Sequence, residues 1–126
     1  MAEVIRSYRD LLVWQKGMDL AAEVYRLSRL WPKDELFGLT SQARRAAASI
    51  PANIAEGYGR HSGASYAQFL KIARGSLKEL ETHLLLAERV GATEPGSCND
   101  ALREADELGR MLGSLLKSVT KTRTGQ

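Results

Sequence analysis

Apolar residues recur at steps of three and four in four separate stretches of the chain, and each stretch is bounded by glycine, proline or a short polar run. The first carries Leu11, Trp14, Met18, Ala21 and Tyr25. It predicts an amphipathic helix starting near Ser7 or Asp10, a Ser/Asp pair at capping-box spacing. Trp14, on that stripe, reads as a core anchor rather than a stacking platform. Trp31-Pro32 ends this helix, because the residue before proline avoids the helical region. A short link follows, in which Asp34 is placed to cap the next helix.

The second stretch, Gly38 to Arg60, has two faces. Leu39, Ala43, Ala46, Ile50 and Ile54 form a core stripe, and Gln42, Arg45, Ser49, Asn53, Glu56 and Arg60 form a polar ladder beside it. Pro51 removes one backbone donor and predicts a kink or local break near Ala47. The run from Gly57 to Gly63 ends this helix. The third helix begins near Ser65 and closes at Gly91, with the most regular seam of all: Tyr66, Leu70, Ala73, Leu77, Leu80, Leu84 and Ala87. Phe69, Ile72, Leu86 and Val90 fall outside that seam and predict a second neighbour or another subunit. Gly75, in the middle of the helix, costs about 1 kcal/mol relative to Ala and would be explained by a close helix approach.

Residues 92 to 99 form the clearest loop. A fourth helix then carries Ala101, Ala105, Leu108, Leu112, Leu115 and Val119 on one seam, and a frayed tail is expected from residue 121 onward. Its acidic start (Asp100, Glu104, Asp106, Glu107) and basic end (Lys117, Lys121, Arg123) suit the helix dipole. Short connections make sequential helices antiparallel neighbours. The expected fold is therefore all-α, a single domain built as an up-down-up-down four-helix bundle.

Composition agrees with this picture. The chain has 126 residues, 44% hydrophobic and 26% charged, enough for one core. Net charge is +3, with 18 basic residues against 15 acidic ones, a bias that permits a polyanion partner without requiring one. Cys98 is the only cysteine. It forms no internal disulfide, has no zinc-type spacing around it and reads as a loop residue without a role. The opening residues lack the apolar core of a secretory signal, and no apolar run approaches the roughly 20 residues that cross a bilayer. The expectation is a cytoplasmic protein without metal or cofactor.

Catalytic signatures are weak. His61 and His83 stand apart from any metal motif, and Glu79 with His83 is as readily a surface pair as an acid–base pair. The glycines near residue 60 are not a phosphate loop, because no strand precedes them. The positive residues are more suggestive. Lys71, Arg74 and Lys78 share one face of helix three, while Arg44, Arg45 and Arg60 come from helix two and His61 from the turn after it. If helices two and three are antiparallel, Arg60, His61, Lys71 and Arg74 gather in one basic zone suited to phosphate oxygens. The competing reading pairs Arg45, on the polar ladder with Glu56, with Glu79 or Glu81, within the bundle or across a subunit boundary, and leaves the basic stripe of helix three as a solvated face.

The phrases QARRAAASIPANIAEGYGR and FLKIARGSLKELETHLLLA, with the opening YRDLLVWQKGMDLAAEVYRL and the link WPKDELFGL, resemble a bacterial four-helix-bundle family. That family is named for a protein encoded in large-subunit rRNA intervening sequences. The resemblance covers about residues 8 to 91 and extends to the accessory variability protein of diversity-generating retroelements. It implies a homo-oligomeric ring, often of five copies. For the retroelement relative it implies a basic ring that binds RNA or DNA and a reverse transcriptase. On this basis Arg44, Arg45, Arg60, Lys71, Arg74 and Lys78 are the candidate nucleic-acid contacts, and no catalytic residue is assigned. The alternative is a structural or protein-interaction ring without nucleic acid. The polar ladder of helix two and the extra apolar positions of helix three are expected to face a neighbouring copy.

Overall fold

In the computed structural model, which describes residues 4–124 with side chains through residue 121, every regular element is helical. Four helices make the fold: α1 (Leu12–Ser28), α2 (Ser41–Tyr58), α3 (Gly63–Arg89) and α4 (Asn99–Thr124). α1 packs on α2 and α4, and α3 packs on α2 and α4, so each helix touches its two neighbours around the bundle. The connection of residues 59–62 is too short for anything but an antiparallel turn between the packed helices α2 and α3. α3 and α4, at 27 and 26 residues, reach about 40 Å, roughly half as long again as α1 and α2.

The core follows the expected seams in α2 and α3. Ala43, Ala46, Ile50 and Ile54 of α2 are buried, as are Leu70, Ala73, Leu77, Leu80, Leu84 and Ala87 of α3. α1 is rotated relative to its predicted stripe. Its buried face is Val13, Gly17, Leu20, Val24 and Ser28. Trp14 and Ala21 are only half-buried, and Met18 and Tyr25 are exposed. Gly17 on this face lies against Pro51 of α2, where an added Cβ would meet the Pro51 Cβ at 3.5 Å, an ordinary van der Waals contact. α2 itself runs through Pro51 as one helix, without the local break expected at Ala47.

Several boundaries move. The Ser7/Asp10 capping box forms, but it closes a three-residue turn, Tyr8–Asp10, ahead of α1. The α1–α2 link contains a wide helical turn, Leu36–Thr40, and its cap is Glu35 rather than Asp34: the Glu35 carboxylate accepts from the Leu39 amide at 3.2 Å. α3 is capped by Ser62, whose hydroxyl accepts from the Ser65 amide, so Ser65 is inside the helix rather than its cap. Gly75 meets nothing within 4 Å and mediates no close approach within the chain. α4 continues to Thr124, past the point where fraying was expected; the rest of that predicted tail and the side chain of Arg123 lie outside the described residues.

Cys98 corrects another expectation. It belongs to the hydrophobic core, with no exposed surface, and burial pushes its thiol pKa up. The loop around it is held by Glu88 of α3, whose carboxylate accepts from the amides of Gly96 and Cys98, each at 3.0 Å. Those two bonds, the Gly96 amide first, hold the Glu88 carboxyl below its ordinary pKa of 4.5. Because the folded value is lowered, the stabilisation is complete above pH 4.5 and is lost as pH falls through the folded value. Glu88→Gln is therefore expected to cost about 1 kcal/mol or less near neutral pH and progressively less under acid, as read by urea unfolding at both conditions. A penalty that stays constant with pH would remove the carboxylate from this role.

Candidate nucleic-acid interface

α3 places Lys71, Arg74 and Lys78 on one edge at steps of three and four, and α4 places Arg110, Lys117 and Lys121 on one edge at steps of seven and four. The packing of α3 on α4 brings these edges to opposite sides of one groove. Its larger part, about 920 Å³, is lined by Lys71, Arg74, Arg110, Lys117 and Lys121, with Gly113, Ser114, Leu116 and Thr120 between them. Among the described residues no acidic and no aromatic side chain lines it. A smaller continuation of about 220 Å³ shares Arg74, Arg110 and Gly113 and adds Leu77, Lys78, Gly109 and the one acid, Asp106. Gly109 and Gly113 add no side chain to the groove.

Lys78 pairs with Glu81 at 3.1 Å and Arg110 with Asp106 at 3.1 Å, both on one helix and open to solvent. Such pairs contribute only a few tenths of a kcal/mol and give way to a stronger anion. Lys71, Arg74 and Lys117 make no ion pair among the described residues. Where several cations converge without acids between them, their potentials add, and a polyanion replaces the counterions they would otherwise hold.

Arg44 and Arg45 of α2 and Arg60 of the turn after it lie elsewhere. Arg44 is half-buried between α1 and α2: its Nε donates to the Ser28 hydroxyl at 2.8 Å and its guanidinium lies 4.8 Å from the centre of the Tyr25 ring. That is a packing role. Arg60 pairs with Glu56 at 2.9 Å and lies 4.7 Å over the Phe69 ring. Neither it nor His61 lines the α3–α4 groove, so of the expected Arg60, His61, Lys71 and Arg74 only Lys71 and Arg74 meet there. Arg45 lines a polar cleft of about 420 Å³ between α2 and α3, together with Gln42, Ser49, Ser76 and Glu79. It makes no ion pair there. Glu79 instead pairs with His83 at 3.3 Å. The Ser49 and Ser76 hydroxyls, 2.8 Å apart, join α2 to α3 in this cleft, and the Asn53 amide donates to the Ser49 hydroxyl at 2.9 Å.

Sequence reasoning missed the α4 half of the groove because its cations also suit the helix dipole. The available signal was the spacing of Arg110, Lys117 and Lys121 along one edge of the α4 seam. A separate apolar groove of about 500 Å³ lies between α1 and α2, with Tyr8, Trp14, Met18 and Tyr25 on one side and Pro51 and Ala52 on the other. Leu30 and Phe37, at 86% and 93% exposure, stand out from the α1–α2 link. Among the described residues no cluster of His, Cys, Asp and Glu suits a metal ion, and no helix is long and apolar enough to cross a membrane.

None of the curated proteins matches the chain. Among solved structures, a protein of unknown function from the S23 ribosomal protein family of Bacteroides thetaiotaomicron VPI-5482 is similar, with a TM-score of 0.77 and 26% identity. The similarity covers 84% of this chain and 99% of that one. The family model described as 23S rRNA-intervening sequence protein matches residues 9–114, which takes in α1, α2, α3 and the first part of α4. The basic groove thus lies partly within the family's shared region and partly beyond it, at Lys117 and Lys121. The chain belongs to the 23S rRNA-intervening sequence protein family.

Proposed function

We propose that this protein is a non-enzymatic, homo-oligomeric helical protein of the cytoplasm that holds nucleic acid by its phosphate backbone. The observation that carries this is the α3–α4 groove, where two rows of cations face each other with no acid in the larger part. Lys71, Arg74 and Lys78 supply one row. Arg44 and Arg60 are left out of the site by their partners, and Arg45 by its place in the α2–α3 cleft. Assembly into a ring, with five copies as the family resemblance implies, would multiply a modest charge per chain into useful avidity.

The test is a fluorescence-anisotropy titration of a structured RNA and a DNA duplex at low and near-physiological salt. The triple variant Lys71→Ala, Arg74→Ala, Lys78→Ala is expected to weaken binding by at least an order of magnitude and to flatten its salt dependence by about three phosphates' worth. Sizing with light scattering on the same samples gives the copy number. Absence of binding at either salt would remove the nucleic-acid reading. The second reading, a protein-interaction scaffold, would then lead. It is favoured by the apolar α1–α2 groove and by the exposed Leu30 and Phe37 beside it in sequence. A reverse transcriptase, the protein partner that the resemblance implies, belongs to that search.

A further inference from the structure

We propose that the α3–α4 groove takes one strand of a base-paired helix, gripping its phosphates and leaving its bases untouched. This rests on the nucleic-acid reading above and specifies which form of nucleic acid the groove selects. Three observations carry it.

The first is length. Arg110 and Lys121 are eleven residues apart on α4, about 16 Å at the helical rise. One strand of a duplex advances about 3.4 Å per nucleotide along the axis, but its winding backbone sets neighbouring phosphates about 7 Å apart, so the row spans about three consecutive phosphates. Lys71, Arg74 and Lys78 face it from the other side over about 10 Å. A single backbone fits between two such rows, met from both flanks.

The second is what the groove lacks. Proteins that hold single strands without sequence preference stack bases on aromatic side chains, worth about 1–3 kcal/mol per base. No aromatic residue lines either part of this groove. A flexible single strand would lose its freedom on binding and recover nothing from its bases. A duplex arrives already ordered and with a higher density of phosphate charge.

The third is the floor. Gly109, Gly113 and Ser114 let a backbone approach closely, and the Ser114 hydroxyl supplies a neutral donor among the cations. Contacts of this kind fix position and carry no sequence information. The groove is therefore expected to bind duplexes of unrelated sequence alike.

The experiment compares a blunt duplex with a non-pairing single strand of equal length, by anisotropy across about 50 to 200 mM salt. It uses the full chain and the double variant Arg110→Ala, Lys117→Ala, whose residues are exposed and lie outside the hydrophobic core. The duplex is expected to bind at least tenfold more tightly than the single strand. Its log–log salt slope should be about −3 or steeper, from about three phosphates along the α4 row at about 0.9 each. The double variant should lose at least tenfold in duplex affinity and about two units of slope, with its helical circular dichroism and melting unchanged. A single strand that binds as tightly as the duplex would overturn this inference and leave nucleic-acid binding standing. Undiminished duplex binding by the folded double variant would overturn the groove as the site. If neither probe binds the native chain, the broader reading falls with it.

Discussion

Leu77→Ala is expected to cost about 3–5 kcal/mol, the upper part of the range for truncating a buried leucine. Leu77 has no exposed surface and sits mid-seam on α3. Across from it is Gly109 of α4, where a Cβ would lie 3.4 Å from a Leu77 methyl. The glycine has no side chain to move into the vacancy, so the hole stays open, and an unrelaxed cavity is what raises the cost. Stability of a domain this size is typically about 5–15 kcal/mol, so the variant should lose a large fraction of it. Urea unfolding should show a lower midpoint with an unchanged slope. A loss below about 1 kcal/mol would mean that the α3–α4 seam is not packed as described.

Gly57→Ala is expected to destabilise the bundle by about 1–2 kcal/mol, although alanine is the better helix former. A Cβ at Gly57 would lie 2.7 Å from the Phe69 Cβ and 3.3 Å from the Tyr66 carbonyl oxygen. These atoms are fixed to the α3 backbone, so relief requires α2 and α3 to separate where Arg60 covers Phe69. Gly75→Ala is the internal control. Nothing lies within 4 Å of that position, so the substitution should stabilise by about 0.5–1 kcal/mol through propensity alone. Opposite signs in thermal melts are the expected result. A Gly57→Ala variant at least as stable as the native chain would show that α2 and α3 are not in close contact there.

The two glycines show what a sequence makes visible and what it hides. Gly75, an unexplained glycine in a long helix, invited a packing role that Gly57 plays instead. Gly57 looked like part of a helix stop, and only the approach of α3 reveals its purpose. In α3 the seam from Leu70 to Ala87 was legible because its buried residues are all leucine or alanine at regular spacing. In α1 two adjacent faces are apolar, and the large side chains Trp14, Met18 and Tyr25 outweighed the true face, which includes Gly17 and Ser28. The eye follows size, and Gly17 and Ser28 carry little of it.

The basic site divides in the same way. Lys71, Arg74 and Lys78 were readable as one edge of one helix. Their partners on α4 were not, because which edges meet across a bundle is a tertiary fact. Arg44 and Arg60 looked equivalent to these lysines in sequence. Tyr25 with Ser28, and Phe69 with Glu56, have already engaged them.

The core position of Cys98 has a kinetic consequence. A thiol without exposed surface, with its pKa raised by burial, reacts only from conformations in which the corner between α3 and α4 has opened. As the chain's single thiol, it turns any alkylating reagent into a counter of those openings. The Glu88 carboxylate, bonded to the Cys98 amide, is the latch whose release such a counter would time.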